Sequence, residues 1–182
     1  MGIPTLIKTL TASDSASLDF VDGTDDVVFD STYDEYMFVC TDIGPATDGA
    51  WFTFQFNADG GSDYNETITS TTFQATHTEA GSSSLAYATG LDQAEGTGYQ
   101  CFIYGIGSAA DESGAGILHV FSPASTTYVT HFYGRSSSYY TGPGETETHV
   151  AGYVNATAAM DEISFKMSSG NFDGVIQMYG IS

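Results

Sequence analysis

Phenylalanine recurs at every second position through Phe52, Phe54 and Phe56, with Thr53, Gln55 and Asn57 between them. A period of two sends successive side chains to opposite faces, so this stretch reads as a half-buried β-strand with its rings on one side. Helical periodicity is nearly absent elsewhere, while strand-like runs recur. They are Thr5–Thr11, Ser17–Val21, Val27–Phe29, Tyr33–Thr41, Tyr99–Ile106, Gly116–Phe121, Tyr128–Arg135, Glu147–Asn155, Glu162–Met167 and Val175–Ile181. Threonine-rich Glu66–His77 leans to strand, and Ser84–Asp92 reads as a short helical turn. Turns rich in Gly, Asn, Asp, Ser and Pro separate the runs, and the 21 glycines fit many such turns. About 8–10 short strands with this punctuation specify an all-β fold, an antiparallel β-sandwich of jelly-roll-like kind. The 182 residues form one domain, with the N-terminal strand expected as an arm that contacts neighbours. Gly105–Gly116 and Arg135–Thr148 read as the most flexible segments.

Charge narrows the class of partner. The chain has 23 acidic residues against Lys8, Arg135 and Lys166, a formal net charge of -20. A disordered acidic tail would be poor in aromatics, whereas here 14% of residues are aromatic and they are interleaved with the acids. The acids therefore coat a folded domain. Such a surface repels phosphate backbones and anionic lipid, so nucleic acid and membrane are poor partners, and a basic protein surface or divalent cations suit it better. No apolar run approaches the length of a membrane-spanning helix. The N-terminus lacks the basic and apolar regions of a signal peptide, and Leu6 breaks the myristoylation pattern. Synthesis and folding in a cytoplasm are expected. In that setting Cys40 and Cys101 read as buried free thiols, and the sequons at Asn65 and Asn155 as chance matches.

Catalytic motifs are missing. His77, His119, His131 and His149 form no closely spaced metal pair, and no Gly-x-Ser-x-Gly elbow occurs. The histidines read as structural or interface residues, and the chain as a non-enzyme. Calcium is the one candidate ligand, with Asp59, Asp63 and Glu66 clustered around a double glycine and Asp22, Asp25 and Asp26 in a second acidic turn. Neither loop has the EF-hand pattern, so solvated turn acids are the favoured reading, calcium is the alternative, and no cofactor is expected. Tyr128, Tyr133, Tyr139 and Tyr140 fall close together beside Arg135. Tyr and Arg are enriched at protein interfaces, so these five residues are interface candidates, with core packing as the alternative. Arg135 and Lys166 are expected to have acidic partners within or between chains.

Several segments carry a resemblance. Ile-Lys-Thr-Leu-Thr-Ala-Ser at 7–13 is followed by Leu-Asp-Phe-Val-Asp-Gly-Thr and Val-Val-Phe-Asp-Ser-Thr-Tyr-Asp-Glu-Tyr. Ser-Thr-Thr-Tyr-Val-Thr-His-Phe-Tyr-Gly-Arg follows at 125–135, then Phe-Lys-Met-Ser-Ser-Gly-Asn-Phe-Asp at 165–173 and a closing Met-Tyr-Gly-Ile-Ser. Together they resemble a family of small virion structural proteins of tailed bacteriophages, common in marine and cyanobacterial phages. The likeness implies a β-rich protein assembled on a virus particle, with no catalytic residues to carry over. The chain has neither the repeats nor the heptads of a slender fibre shaft. The implied role is therefore a capsid decoration (cement) protein, a homotrimer at the capsid surface that contacts the major capsid protein and bridges capsomers. The alternative is a tail-associated or receptor-binding tip.

Overall fold

The computed structural model describes residues 2–58, 61 and 63–182. Among them are twelve strands and no helix. In chain order they are β1 (Thr5–Ser15), β2 (Leu18–Val21), β3 (Glu35–Pro45), β4 (Ala50–Ala58), β5 (Ile68–Thr78), β6 (Ser83–Tyr87), β7 (Gln100–Ile106), β8 (Gly114–Phe121), β9 (Thr130–Tyr139), β10 (Gly144–Val154), β11 (Met160–Met167) and β12 (Phe172–Ile181). Every pairing is antiparallel. An eight-stranded sheet runs β1-β12-β3-β8-β9-β10-β5-β6, and a four-stranded sheet runs β2-β11-β4-β7.

The connectivity is a rolled hairpin. β1 pairs with β12, β2 with β11, β3 with β8 and β4 with β7, and successive members of this kernel go to opposite sheets. That is a jelly roll. Two hairpins are inserted into it, β5–β6 between β4 and β7 and β9–β10 between β8 and β11. Both join only the large sheet, which makes it twice as wide as its partner. The strands exceed the expected number because of these inserts. Ser83–Tyr87 is a strand, where a helical turn was expected. It closes a hairpin through Gly81 at φ 88, a conformation open to glycine but strained for other residues. Most of Arg135–Thr148 is ladder, in β9 and β10, so its small residues serve pairing. Val27–Phe29 is not a strand, although Val27 and Phe29 are buried. β1 lies along β12 within its own chain.

Phenylalanine fills the space between the sheets. Phe20, Phe38, Phe52, Phe54, Phe56, Phe102 and Phe165 are fully buried. Edge-to-face contacts join the layers, with Phe54 and Phe132 centroids 5.2 Å apart at 86° and Phe20 and Phe38 5.3 Å apart at 71°. Such pairs add to the transfer of each ring out of water. Phe102 needs room in the opposite sheet. A Cβ on Gly116 would lie 2.7 Å from its ring, and one on Gly134 would lie 2.8 Å from it. Glycine at both positions is thus a packing requirement, not one of backbone angle.

β4 departs from the half-buried strand its alternation suggests. The rings of Phe52, Phe54 and Phe56 do face the core, but Thr53, Gln55 and Asn57 are buried as well. Loop segments before β5 and before β7 cover this second face. Gln55 pins them: its Nε2 donates to the carbonyls of Glu66 at 3.1 Å, Thr97 at 3.2 Å and Gly98 at 2.8 Å. Its Oε1 accepts the Phe56 N–H at 2.8 Å. Gln100 repeats the device, donating to the Leu91 carbonyl at 2.8 Å and accepting from Ser70 Oγ at 2.7 Å. Buried amides of this kind are stable only when their donors and acceptors are matched.

Candidate functional site

The large sheet has one face on the core and one on solvent. β9 shows the division cleanly, because its residues alternate buried and exposed from Thr130 to Tyr139. Antiparallel register then aligns outward residues of neighbouring strands into rows. One row is Glu35, Phe121, His131, Tyr153 and Thr69. The next is Tyr179, Met37, His119, Tyr133, Ala151 and Thr71. A third is Gln177, Val39, Ile117, Arg135, His149, Phe73 and Tyr87. Toward the far end Ser137, Glu147, Ala75 and Leu85 align, then Tyr139, Glu145, His77 and Ser83.

An outward sheet face is ordinarily polar. This one carries rings and aliphatic groups, among them Ile117 at 40% exposure, Tyr133 at 48%, Phe73 at 44% and Leu85 at 74%. All four histidines of the chain stand on it, joined by Arg135. His119 stacks on Tyr133 with centroids 4.6 Å apart at 19°, and Phe121 packs on the same ring at 5.6 Å. His149 stacks on Phe73 at 4.6 Å and 6°. A shallow groove of about 430 Å³ runs over Phe121, His131, Tyr133 and Tyr153.

Carboxylates are few here. Of the 23 acids, the rows contain Glu35, Glu145 and Glu147. Glu35 Oε1 lies 2.5 Å from His119 Nδ1. Glu147 Oε1 accepts from Arg135 Nε and lies 3.1 Å from His149 Nε2. The Arg135 hydrogen bond holds the Glu147 carboxyl below the usual carboxylate range. Two of the three acids in these rows are therefore matched inside the chain, while Asp42 and Asp173 add exposed carboxylates at the far end of β3 and β12.

The five interface candidates do not form one patch. Tyr133, Arg135 and Tyr139 share the outward side of β9. Tyr128, 74% exposed, lies in the loop before it. Tyr140 turns toward the other sheet and stacks on Tyr104 with centroids 6.0 Å apart. All four tyrosines are exposed, which removes core packing as their explanation. Arg135 has its acidic partner in Glu147. Lys166 stands over the Tyr99 ring, its Nζ 3.9 Å from the centroid, and no acidic partner for it is found among the described residues. The remainder of the face, Val39, Met37, Tyr179, Ile117, Phe121, Phe73 and Leu85, comes from single outward positions on separate strands. Each is unremarkable in sequence until register aligns them.

One acid in each acidic turn holds a backbone N–H. Glu66 Oε1 accepts the Ala58 N–H at 3.2 Å, Asp63 is exposed, and Asp59 lies outside the described residues. Asp22 Oδ1 accepts the Phe29 N–H at 2.7 Å, and Asp25 and Asp26 take positive φ in the turn itself. Among the described residues no group of three or more His, Cys, Asp or Glu is placed to hold a metal ion. Cys40 and Cys101 are free and buried. Burial pushes both thiols up, Cys101 to about 12. Compared with known proteins, the chain matches no family model, no curated protein and no solved structure.

Proposed function

We propose that this protein is a structural assembly module, a decoration (cement) protein of a tailed-phage capsid that acts as a homotrimer. The observation that carries this reading is the outward face of the large sheet, where exposed rings and aliphatic side chains recur on neighbouring strands of a chain otherwise crowded with carboxylates. A broad, shallow apolar face serves attachment to a protein better than it serves turnover of a small molecule, which needs a concave site with convergent polar groups. The resemblance of the sequence to phage virion proteins supplies the setting. In that role the protein bridges capsomers and contacts the major capsid protein. It stabilises the shell by linkage, because a ligand that binds only the assembled lattice favours that lattice. The acidic remainder faces solvent, where it keeps particles apart. Particles depleted of the protein are expected to lose heat and osmotic resistance while keeping an intact lattice. Depleted particles as robust as complete ones would refute the cement role.

A second reading, a tail-associated receptor-binding tip, is favoured by the groove over Phe121, His131, Tyr133 and Tyr153, since sugar rings stack on aromatic faces. Binding to host glycans that is lost in Tyr133→Ala and Tyr153→Ala would move the protein to that class.

A further inference from the structure

We infer that the outward face of the large sheet is covered by a second copy of this chain. The inference rests on the self-assembly in the virion reading and names the surface that makes it: a monomeric chain would end both, whereas failure of the capsid role alone is read separately, from particle copy number. Its first support is size. From β12 to β6 seven strands lie side by side, which at about 4.8 Å per strand and roughly 27 Å of ladder length gives an area on the order of 800 Å². That is about what one partner buries in a stable protein complex.

Charge identifies the occupant. Two chains of net charge -20 repel over most of their surfaces. On these strands the charges that reach solvent are Glu35, Asp42, Glu145, Glu147, Asp173 and Arg135; Glu35 and Glu147 are engaged by His119, Arg135 and His149, and Asp173 Oδ1 accepts the Asp14 N–H at 2.8 Å. A charged partner finds little here to complement. A copy of the same chain brings rings and aliphatic groups with few unmatched charges, at a broad face poorer in carboxylates than the chain as a whole. The edge of the same sheet is also open, to in-plane strand pairing rather than to contact on the face. β6 is exposed throughout, and from Glu79 to Asp92 no charged residue or proline intervenes. Edge strands that stay in solvent are commonly guarded by such residues.

The test uses the full chain in sedimentation velocity over a concentration series, with Ile117→Glu, Tyr133→Glu and, as a control off the face, Tyr128→Glu. Wild type and Tyr128→Glu are expected to sediment as the same oligomer. Both face variants should associate at least about tenfold more weakly, because each would bury an unpaired carboxylate. Hydroxyl-radical footprinting of the wild type provides a readout that does not depend on variants folding: Tyr133 and Tyr87 should become protected as concentration rises, and Tyr128 should not. A wild type that is monomeric throughout would overturn the inference. So would face variants that assemble like wild type, or an oligomer in which Tyr133 and Tyr87 label as freely as in dilute solution.

Discussion

Gln55→Met tests how the small sheet is covered. The substitution keeps an unbranched side chain of similar length but removes the amide, so packing is largely preserved while the polar contacts are lost. Gln55 is fully buried, and its Nε2 reaches three loop carbonyls, on Glu66, Thr97 and Gly98. Two amide protons serve these acceptors, and each hydrogen bond contributes about 1 kcal/mol net. Leaving buried carbonyls without a donor adds a further penalty, so the expected loss is about 3 kcal/mol. For a domain of this size that corresponds to a fall in Tm of roughly 6–12 °C. Urea unfolding of wild type and variant at neutral pH measures the loss directly. Native-state hydrogen exchange should show the larger rise in opening at residues 64–67 and 93–99, where the loops are held. A loss under about 0.5 kcal/mol, which is the usual scatter of surface substitutions, would mean that the amide is not what holds the loops. The pinning argument would then be wrong.

Gly134→Val should cost at least about 1–3 kcal/mol by overpacking, because even its Cβ would stand 2.8 Å from the Phe102 ring; thermal unfolding of the purified variant checks this, and an unchanged Tm would refute it. Tyr36 gives a prediction in base. Burial raises its phenol from 10.0 to about 12, so the folded state holds its proton more tightly than the unfolded chain. Its contribution is present in full below pH 10 and is lost as pH rises toward 12. Tyr36→Phe, which also removes the hydroxyl bond to the Asp30 carbonyl at 2.9 Å, should be less stable at neutral pH and should lose less stability across that alkaline window. An unaltered alkaline slope would contradict the assignment. Cys40 and Cys101 are buried with raised thiols, so thiol reagents should modify neither until the protein is unfolded; rapid native modification would show that the β3 or β7 ladder opens.

Much of the fold was legible because strand alternation is a local signal. The Phe52–Phe56 period placed β4, and the aromatic run after Tyr33 placed β3. What sequence could not supply was register and cover. Thr53, Gln55 and Asn57 look like solvent-side residues because polarity usually marks that side, yet loops far along the chain bury them and meet their hydrogen bonds. β6 was misread as a helical turn because five small or neutral residues, Ser-Ser-Leu-Ala-Tyr, hold too few periods to separate the two. The candidate face was partly visible in Tyr133, Arg135 and Tyr139, which share one strand. Ile117, Val39, Tyr179 and Phe73 had to wait for pairing across β8, β3, β12 and β5. Tyr128 and Tyr140 are close to that strand in sequence, but Tyr128 lies in the loop before it and Tyr140 turns toward the other sheet.

Copy number on purified particles, by quantitative mass spectrometry against the major capsid protein, separates a capsid component from every other role. A decoration protein predicts a fixed stoichiometry to the capsid lattice, one trimer for each local three-fold position. A small fraction of that ratio, or absence from the particle, would contradict the capsid assignment.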